Sequence, residues 1–195
     1  MEELIHWDQQ LLIDLNNLGS ASWDDFWLLI TNKYTWFPLY AVCLFLIYKF
    51  FGLKNLIYAA VAGALLVTCT DQISLLFKNV IVQRLRPCHQ PGVAEFLRSV
   101  EGVCGGQYGF FSGHATNHFG IAVFLSYIFR EKIKGFYIFL LITAIFVAYS
   151  RVYLGVHYFL DILVGTIVGS ILGYLFYLFY QYLVAKNIFK IKNKL

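Results

Sequence analysis

The stretch LDILVGTIVGSILGYLFYLFYQYLV, residues 160–184, holds a single charged side chain, Asp161. As a helix, about 20 predominantly apolar residues cover the hydrocarbon core of a bilayer, with a usual range of roughly 17–25. This segment is therefore expected to span a membrane. Four more segments read the same way, at about 35–52, 55–77, 113–130 and 135–150. The alternating ten-residue segments of a transmembrane barrel do not occur, so helices must satisfy the backbone in lipid. The expected fold is all-α, a polytopic transmembrane bundle of five spans.

The whole composition agrees. Of 195 residues, 59% are hydrophobic and 13% charged, against about half and a quarter in a soluble domain. Mean hydropathy is +0.66. These values exclude a disordered chain, a coiled coil and an ordinary soluble domain. Aromatics, at 19%, suit a chain with many membrane interfaces. Three prolines and 15 glycines leave no low-complexity linker, and one domain is expected over 1–195. The bilayer is the expected partner, with no nucleic-acid partner.

Residues 1–33 differ. Leu4, Trp7, Leu11, Leu12 and Leu15 fall at helical spacing, with Asp8 and Asp14 on the other face. That pattern predicts an amphipathic helix lying in the interface. A second short helix is expected at 23–31, capped by Ser20 or Ser22, with Asp24 and Asp25 in its first turn. The absence of a basic region before the first apolar stretch argues against a signal peptide.

Charge sets the orientation. Lys49 and Lys54, then Arg130, Lys132 and Lys134, then Lys186, Lys190, Lys192 and Lys194 share one side of a five-span bundle. Glu2, Glu3, Asp8, Asp14, Asp24 and Asp25 share the other, with Lys33. By the positive-inside rule the N-terminus is outside, and the basic tail 185–195 is cytoplasmic. The bundle is 34–184, with outer segments 78–112 and 151–159. Cys43 and Cys69 fall inside spans as apolar fillers. Cys88 and Cys104 flank the outer loop, where an oxidising compartment favours a disulfide worth about 3 kcal/mol. Two free thiols, or a metal pair with His89, are the alternatives.

Polar groups are costly near a bilayer, yet three clusters gather on this outer side. They are Lys78-NVIVQ-Arg84-Leu-Arg86-Pro87, then Phe111-Ser112-Gly113-His114, then Ser150-Arg151-VYLGV-His157-YFL-Asp161. Lys78, Arg84, Arg86 and Arg151 form a cation set without an equal number of acids. Such a set wants an anion with several oxygens, and a phosphoryl group fits. Ser112 and Gly113 precede a helix, whose free N–H groups suit an anion. His157 and Asp161 share a helix face, so the carboxylate can hold one imidazole tautomer for nucleophilic attack. His114, beside cations and a bound anion, suits a general acid. No ligand cluster offers a metal cage, and the cations can stabilise charge instead.

Other polar residues read more simply. Asp71, seven residues before Lys78, either positions Lys78 or Arg84 or bonds Thr68, Gln72 or Ser74. Asn117 and His118 are second-layer groups or packing residues. Arg98 reads as an interfacial anchor and His89 as a loop residue. Gly165 and Gly169 form a small-xxx-small pattern for close helix packing.

At these residues the chain resembles the type 2 phosphatidic acid phosphatase (PAP2) superfamily, which shares its site with vanadium haloperoxidases. The family motifs are K-x6-RP, PSGH and SR-x5-H-x3-D. The third is matched in full by Ser150, Arg151, His157 and Asp161. The second is matched by Ser112, Gly113 and His114, with Phe111 in place of Pro. The first has seven residues between Lys78 and Arg86-Pro87 instead of six. Either the extra residue bulges the helix end, or Lys78 is displaced and Arg84 contributes.

The resemblance implies a bacterial inner-membrane enzyme that needs no metal or cofactor and acts on a membrane lipid phosphate at the outer face. His157 would form a phosphohistidine, Asp161 orient it, and His114 protonate the leaving group. Lys78, Arg86, Ser112, Gly113 and Arg151 would bind phosphoryl oxygens. Phosphatidic acid, phosphatidylglycerol phosphate, undecaprenyl pyrophosphate and lipid A phosphates all satisfy that reading. A phosphotransferase using the same phosphoenzyme and a non-catalytic lipid-phosphate binder are the alternatives. The His157–Asp161 pair argues against the second, since binding alone needs no attacking imidazole.

Overall fold

The computed structural model describes residues 2–100 and 102–187. Lys190, Lys192 and Lys194 of the expected basic tail lie outside the described residues. The helices are α1 (Glu2–Asn17), α2 (Ala21–Thr31), α3 (Phe37–Leu76), α4 (Gly113–Phe129), α5 (Phe136–Tyr153) and α6 (Phe159–Lys186). Among the described residues there is no strand, only an isolated antiparallel bridge between Leu85 and Tyr108.

Helix α3 is two rods that meet at Gly52, whose φ of 83° and ψ of 170° leave the helical region. Glycine reaches that conformation without steric cost, so the chain turns back between the first two predicted spans. Three stretches are long and apolar enough to cross a bilayer: Lys33–Ile81, Phe136–Tyr153 and Phe159–Lys186. The first contains both rods of α3. Helix α4, with 17 residues, occupies the centre and packs most extensively on α6, then on α5 and α3. The outward faces stay apolar. Ile138, Ile142 and Ile145 of α5 and Ile167 and Ile171 of α6 are exposed, as a lipid-facing surface requires.

Small residues bring α4 and α6 together. A methyl group on Gly165 would lie 2.7 Å from the Ser112 carbonyl oxygen, and one on Gly169 or Gly173 would collide with the backbone of Thr116 or Gly120. Without a hydrophobic driving force between helices in lipid, such backbone-to-backbone contact supplies packing energy. The predicted Gly165–Gly169 pattern thus extends one turn further, to Gly173. It also sets the ends of both helices side by side.

Helix α1 departs from expectation. Its buried stripe is Asp8, Leu12 and Asn16, each at 0% exposure, whereas Leu4 and Trp7 are about half exposed at 53% and 49%. Asp8 therefore faces inward rather than toward solvent. Leu4 and Trp7 face outward, while Asp8 and Asn16 meet the polar top of the bundle and Leu12 packs between them. Asn16 donates to the Tyr153 carbonyl (2.7 Å) and accepts from Arg98 N (2.8 Å). Ser20 precedes α2 in extended conformation but makes no side-chain cap. Its carbonyl instead lies 2.7 Å from Tyr153 Oη.

Candidate active site

The second and third motifs meet because α4 and α6 start together. Ser112 N donates to the Asp161 carbonyl at 3.0 Å. Ser112 is fully buried and caps α4, its Oγ accepting from Ala115 N at 3.4 Å. Its own O–H remains able to donate. Phe111, where the motif usually has Pro, is buried with its ring 5.3 Å from that of Phe77.

His157 lies in the turn from α5 to α6, where Gly155 takes the left-handed conformation at φ 66°. Its Nδ1 is 3.3 Å from Asp161 Oδ2, and its Nε2 is 3.0 Å from Arg86 Nη1. A guanidinium can only donate, so Nε2 must be the acceptor and Nδ1 must carry the proton. The Gly109 carbonyl also accepts from this imidazole. The tautomer is thereby fixed, with the Nε2 lone pair turned toward the cations. Burial, then the charges of Arg86, Arg151 and Lys78, hold the His157 pKa well below its ordinary 6.5. The ring is a neutral base.

Asp161 has more partners than the sequence suggests. Besides His157, its Oδ2 accepts from Tyr158 N at 3.1 Å, capping its own helix. Its Oδ1 accepts from Arg84 Nη1 at 3.1 Å. Gly109 lies against this pair. A methyl group there would be 3.3 Å from Asp161 Oδ2 and 3.5 Å from His157 Nδ1.

Three cations converge on the free face of His157. Arg86 is held by a two-bond bridge: its N–H donates to Gln107 O, and Gly109 N donates to Arg84 O, both at 2.9 Å. Its Nη1 also donates to Val156 O at 3.1 Å. Arg151 is 8% exposed and donates through Nη1 to Thr31 of α2. The Nε groups of Arg86 and Arg151 are buried without a hydrogen-bond partner, which a multi-oxygen anion would supply. Lys78 reaches the start of α4, where a methyl on Gly113 would lie 3.4 Å from its Nζ.

The first-motif irregularity has a structural counterpart. Phe77–Ile81 form a π-turn, with Val82 N donating to Phe77 O at 2.9 Å. A π-turn absorbs one extra residue within a helix. Lys78 stays on the site while the chain gains the seventh spacer. Arg84 is directed elsewhere. It bonds Asp8 Oδ2 at 2.8 Å and Asp161 Oδ1 at 3.1 Å, with its guanidinium 3.8 Å above the Tyr158 ring.

His114 lies in the first turn of α4, half-buried. Arg151, His157, His118 and Lys78 are close enough to interact with it electrostatically. Asp71 bonds Asn117 at 2.8 Å, a partner the sequence reading did not pair with it. Arg98, read as an interfacial anchor, instead forms an ion pair with Asp24 at 2.9 Å. That contact holds the Asp24 carboxyl below its usual range. Cys88 and Cys104 are disulfide-bonded and tie down the loop that carries Arg86. His89 Nε2 lies 3.3 Å from Cys104 Sγ.

Sequence reasoning missed Asp8, Thr31 and Gly109 as parts of this site. Asp8 alone had a legible signal: it recurs every four residues with Leu12 and Asn16, a stripe of mixed polarity.

Residues 53–185 match the model of the PAP2 superfamily. The chain belongs to the PAP2 superfamily. Among curated relatives, a lipid A 4'-phosphatase of Bacteroides thetaiotaomicron is 39% identical over 180 residues, covering 92% of this chain and 79% of the relative. A lipid A 4'-phosphatase of Porphyromonas gingivalis is 36% identical over 182 residues, covering 93% and 76%. Two solved structures share the fold. One is a transmembrane PAP2 type phosphatidylglycerolphosphate phosphatase from Bacillus subtilis (TM-score 0.73, 20% identity, 98% of this chain and 90% of that one). The other is Aquifex aeolicus LpxE (TM-score 0.60, 24% identity, 86% and 92%). The all-helical membrane bundle expected from the sequence is therefore a PAP2 bundle.

Proposed function

We propose that this PAP2 protein is a membrane lipid phosphatase that removes a phosphate from lipid A through a phosphohistidine on His157. The observation that carries the chemistry is the fixed tautomer. With Nδ1–H on Asp161 and the Nε2 lone pair facing Arg86, the imidazole is oriented to attack phosphorus. The names of the two curated relatives support the lipid A substrate.

In the first step Nε2 forms a bond to phosphorus as the phosphorus–oxygen bond to the lipid breaks. His114 gives its proton to the leaving oxygen. Arg86, Arg151, Lys78 and the N-terminus of α4, with Ser112 and Gly113, hold the charge on the remaining oxygens. In the second step water attacks phosphorus, the Nε2–phosphorus bond breaks, and His114 takes the water proton. The reaction needs no metal ion on this reading. Three cations surround the reacting position, and the one carboxylate there is engaged by His157, Arg84 and Tyr158 N. A divalent cation would meet repulsion and no free ligand.

The charge distribution along the chain supports a site on the outer face of the inner membrane and a cytoplasmic C-terminus. The test is phosphate release from lipid A by purified protein, with denaturation in alkaline detergent to trap labelled phosphohistidine. Wild type should release phosphate and yield acid-labile label, and His157→Ala should do neither. Undiminished release by His157→Ala would overturn the mechanism.

A further inference from the structure

An apolar groove of about 500 Å³ opens on the flank of the bundle between the two rods of α3 and helix α4. Tyr40, Cys43 and Ile47 form one wall, with Ala64, Val67 and Ile121 opposite. Helical spacing leads from this groove to the catalytic groups. On α3, Ala64, Val67, Asp71 and Lys78 follow one face, and on α4, Leu125, Ile121, His118 and His114 do the same.

Between the apolar walls and the site lies a polar collar. Asn117 is pinned between Thr70, whose hydroxyl meets its Oδ1, and Asp71, whose Oδ1 accepts from its amide at 2.8 Å. Tyr40 Oη lies 3.2 Å from His118 Nδ1, and the Trp36 ring meets the His118 ring edge-on at 5.7 Å. Asp71 is exposed, and among the described residues only Asn117 donates to it. An exposed carboxylate on a membrane-spanning helix is costly unless something binds it.

We propose that this collar reads the lipid just beneath its phosphate, and that it selects lipids with hydrogen-bond donors at that depth. N-acylated amino sugars, with amide N–H and hydroxyl groups, are the class it fits, one acyl chain lying in the groove. This rests on the lipid-phosphatase reading above. Asp71 lies seven residues from Lys78, about 10 Å along the helix at 1.5 Å per residue. That is the reach of one sugar ring and its linkage below a bound phosphate. A carboxylate can only accept. A diacylglycerol phosphate offers only ester oxygens there, which also only accept, so both groups would lose water without gaining a bond. An amide or hydroxyl donor resolves that conflict. The collar thus discriminates by a missing partner, the strongest kind of polar discrimination available to a site.

The experiment compares wild type with Asp71→Asn, which keeps size but removes the charge. In mixed micelles, kcat/KM is measured for lipid A and for phosphatidic acid. The ratio of the two values should fall about tenfold or more in Asp71→Asn, as expected for one lost charge-assisted bond. An unchanged ratio, with both values moving together, would overturn the proposal and leave Asp71 acting through Lys78. A binding measurement separates this from the phosphatase reading. In the His157→Ala background, lipid A should raise Tm more than phosphatidic acid does, and Asp71→Asn should remove the excess. If wild type hydrolyses neither lipid, the phosphatase reading fails, while the Tm comparison still decides the collar.

Discussion

Asp8, near the start of the chain, holds Arg84 at 2.8 Å, and Arg84 holds Asp161 at 3.1 Å on its other side. The second oxygen of Asp8 accepts from Leu160 N at 3.0 Å, so one buried carboxylate both caps α6 and anchors the arginine. Burial pushes the Asp8 carboxyl up, while Arg84 and Leu160 N pull it down. Removing one member of a buried pair leaves the other uncompensated, at about 3–5 kcal/mol in a fully buried case. Arg84 is 21% exposed, so the cost here is smaller. We expect Asp8→Ala to lower kcat on lipid A about tenfold or more with a lesser change in KM. Asp8→Asn, which can still accept from Leu160 N, should be milder. Wild-type kcat in Asp8→Ala would separate α1 from the catalytic dyad.

The π-turn at 77–81 leads to a deletion test. Val80 is 68% exposed, and removing it restores six residues between Lys78 and Arg86. If the π-turn exists to absorb the extra residue, the helix end should relax to regular geometry with Lys78 still beside Gly113. Phosphate release by the Val80 deletion should stay within a few fold of wild type, while Lys78→Ala should lose roughly tenfold to a hundredfold. A deletion as damaging as Lys78→Ala would mean that the turn is required rather than compensatory.

What the sequence made legible follows from what each motif depends on. The apolar rods depend on local spacing and appear where it puts them. His157 and Asp161 also meet, but not on a shared helix face, because His157 lies in the turn before α6 and Asp161 reaches back to it from the first turn of that helix. Asp8 departs from the amphipathic pattern, which puts water on one side of α1 and apolar packing on the other. Around a membrane bundle that rule inverts at the polar top, where Leu4 and Trp7 stay exposed and Asp8 and Asn16 turn inward. Thr31 and Gly109 were invisible for another reason. Their contacts to Arg151 and to His157 and Asp161 are long-range in sequence, and no periodicity encodes them. Arg84 illustrates the same limit: spacing offered it as a phosphate ligand, and only the fold reveals Asp8 on its other side.

The depressed pKa of His157 makes a pH prediction with a definite sign. In the unfolded chain the imidazole titrates near 6.5, whereas in the folded protein it stays neutral to well below that value. Below pH 6.5 the unfolded state therefore binds the extra proton, and stability falls by up to about 1.4 kcal/mol per pH unit from this group. His157→Gln lacks this penalty. On going from pH 7.5 to 5.5, the Tm of wild type in detergent should drop further than that of His157→Gln. Parallel drops would place the folded-state pKa near its ordinary value and remove the argument for a neutral nucleophile.

Gly165 links the helix packing to the chemistry. It lies one turn after Asp161 and faces Ser112, so the contact that seats α6 on α4 also sets the second motif against the third. Gly165→Ala would bring a methyl to 2.7 Å from Ser112 O and 3.0 Å from Thr116 Oγ1. The first is backbone and cannot swing away. Overpacking of this kind costs about 1–3 kcal/mol, and the cheapest relief is for the start of α4 to shift away from α6. That shift lengthens the Ser112 N to Asp161 O bond and moves Gly113 and His114 away from His157. We expect Gly165→Ala to lower Tm by several degrees and turnover on lipid A about tenfold or more, the two losses appearing together. Gly106→Ala is the control, since a methyl there meets nothing within 4 Å, and both Tm and turnover should hold. His157→Ala supplies the opposite contrast, with turnover lost and the fold retained. A Gly165→Ala protein with lowered Tm but wild-type turnover would show that the glycine contact stabilises the bundle without setting the site.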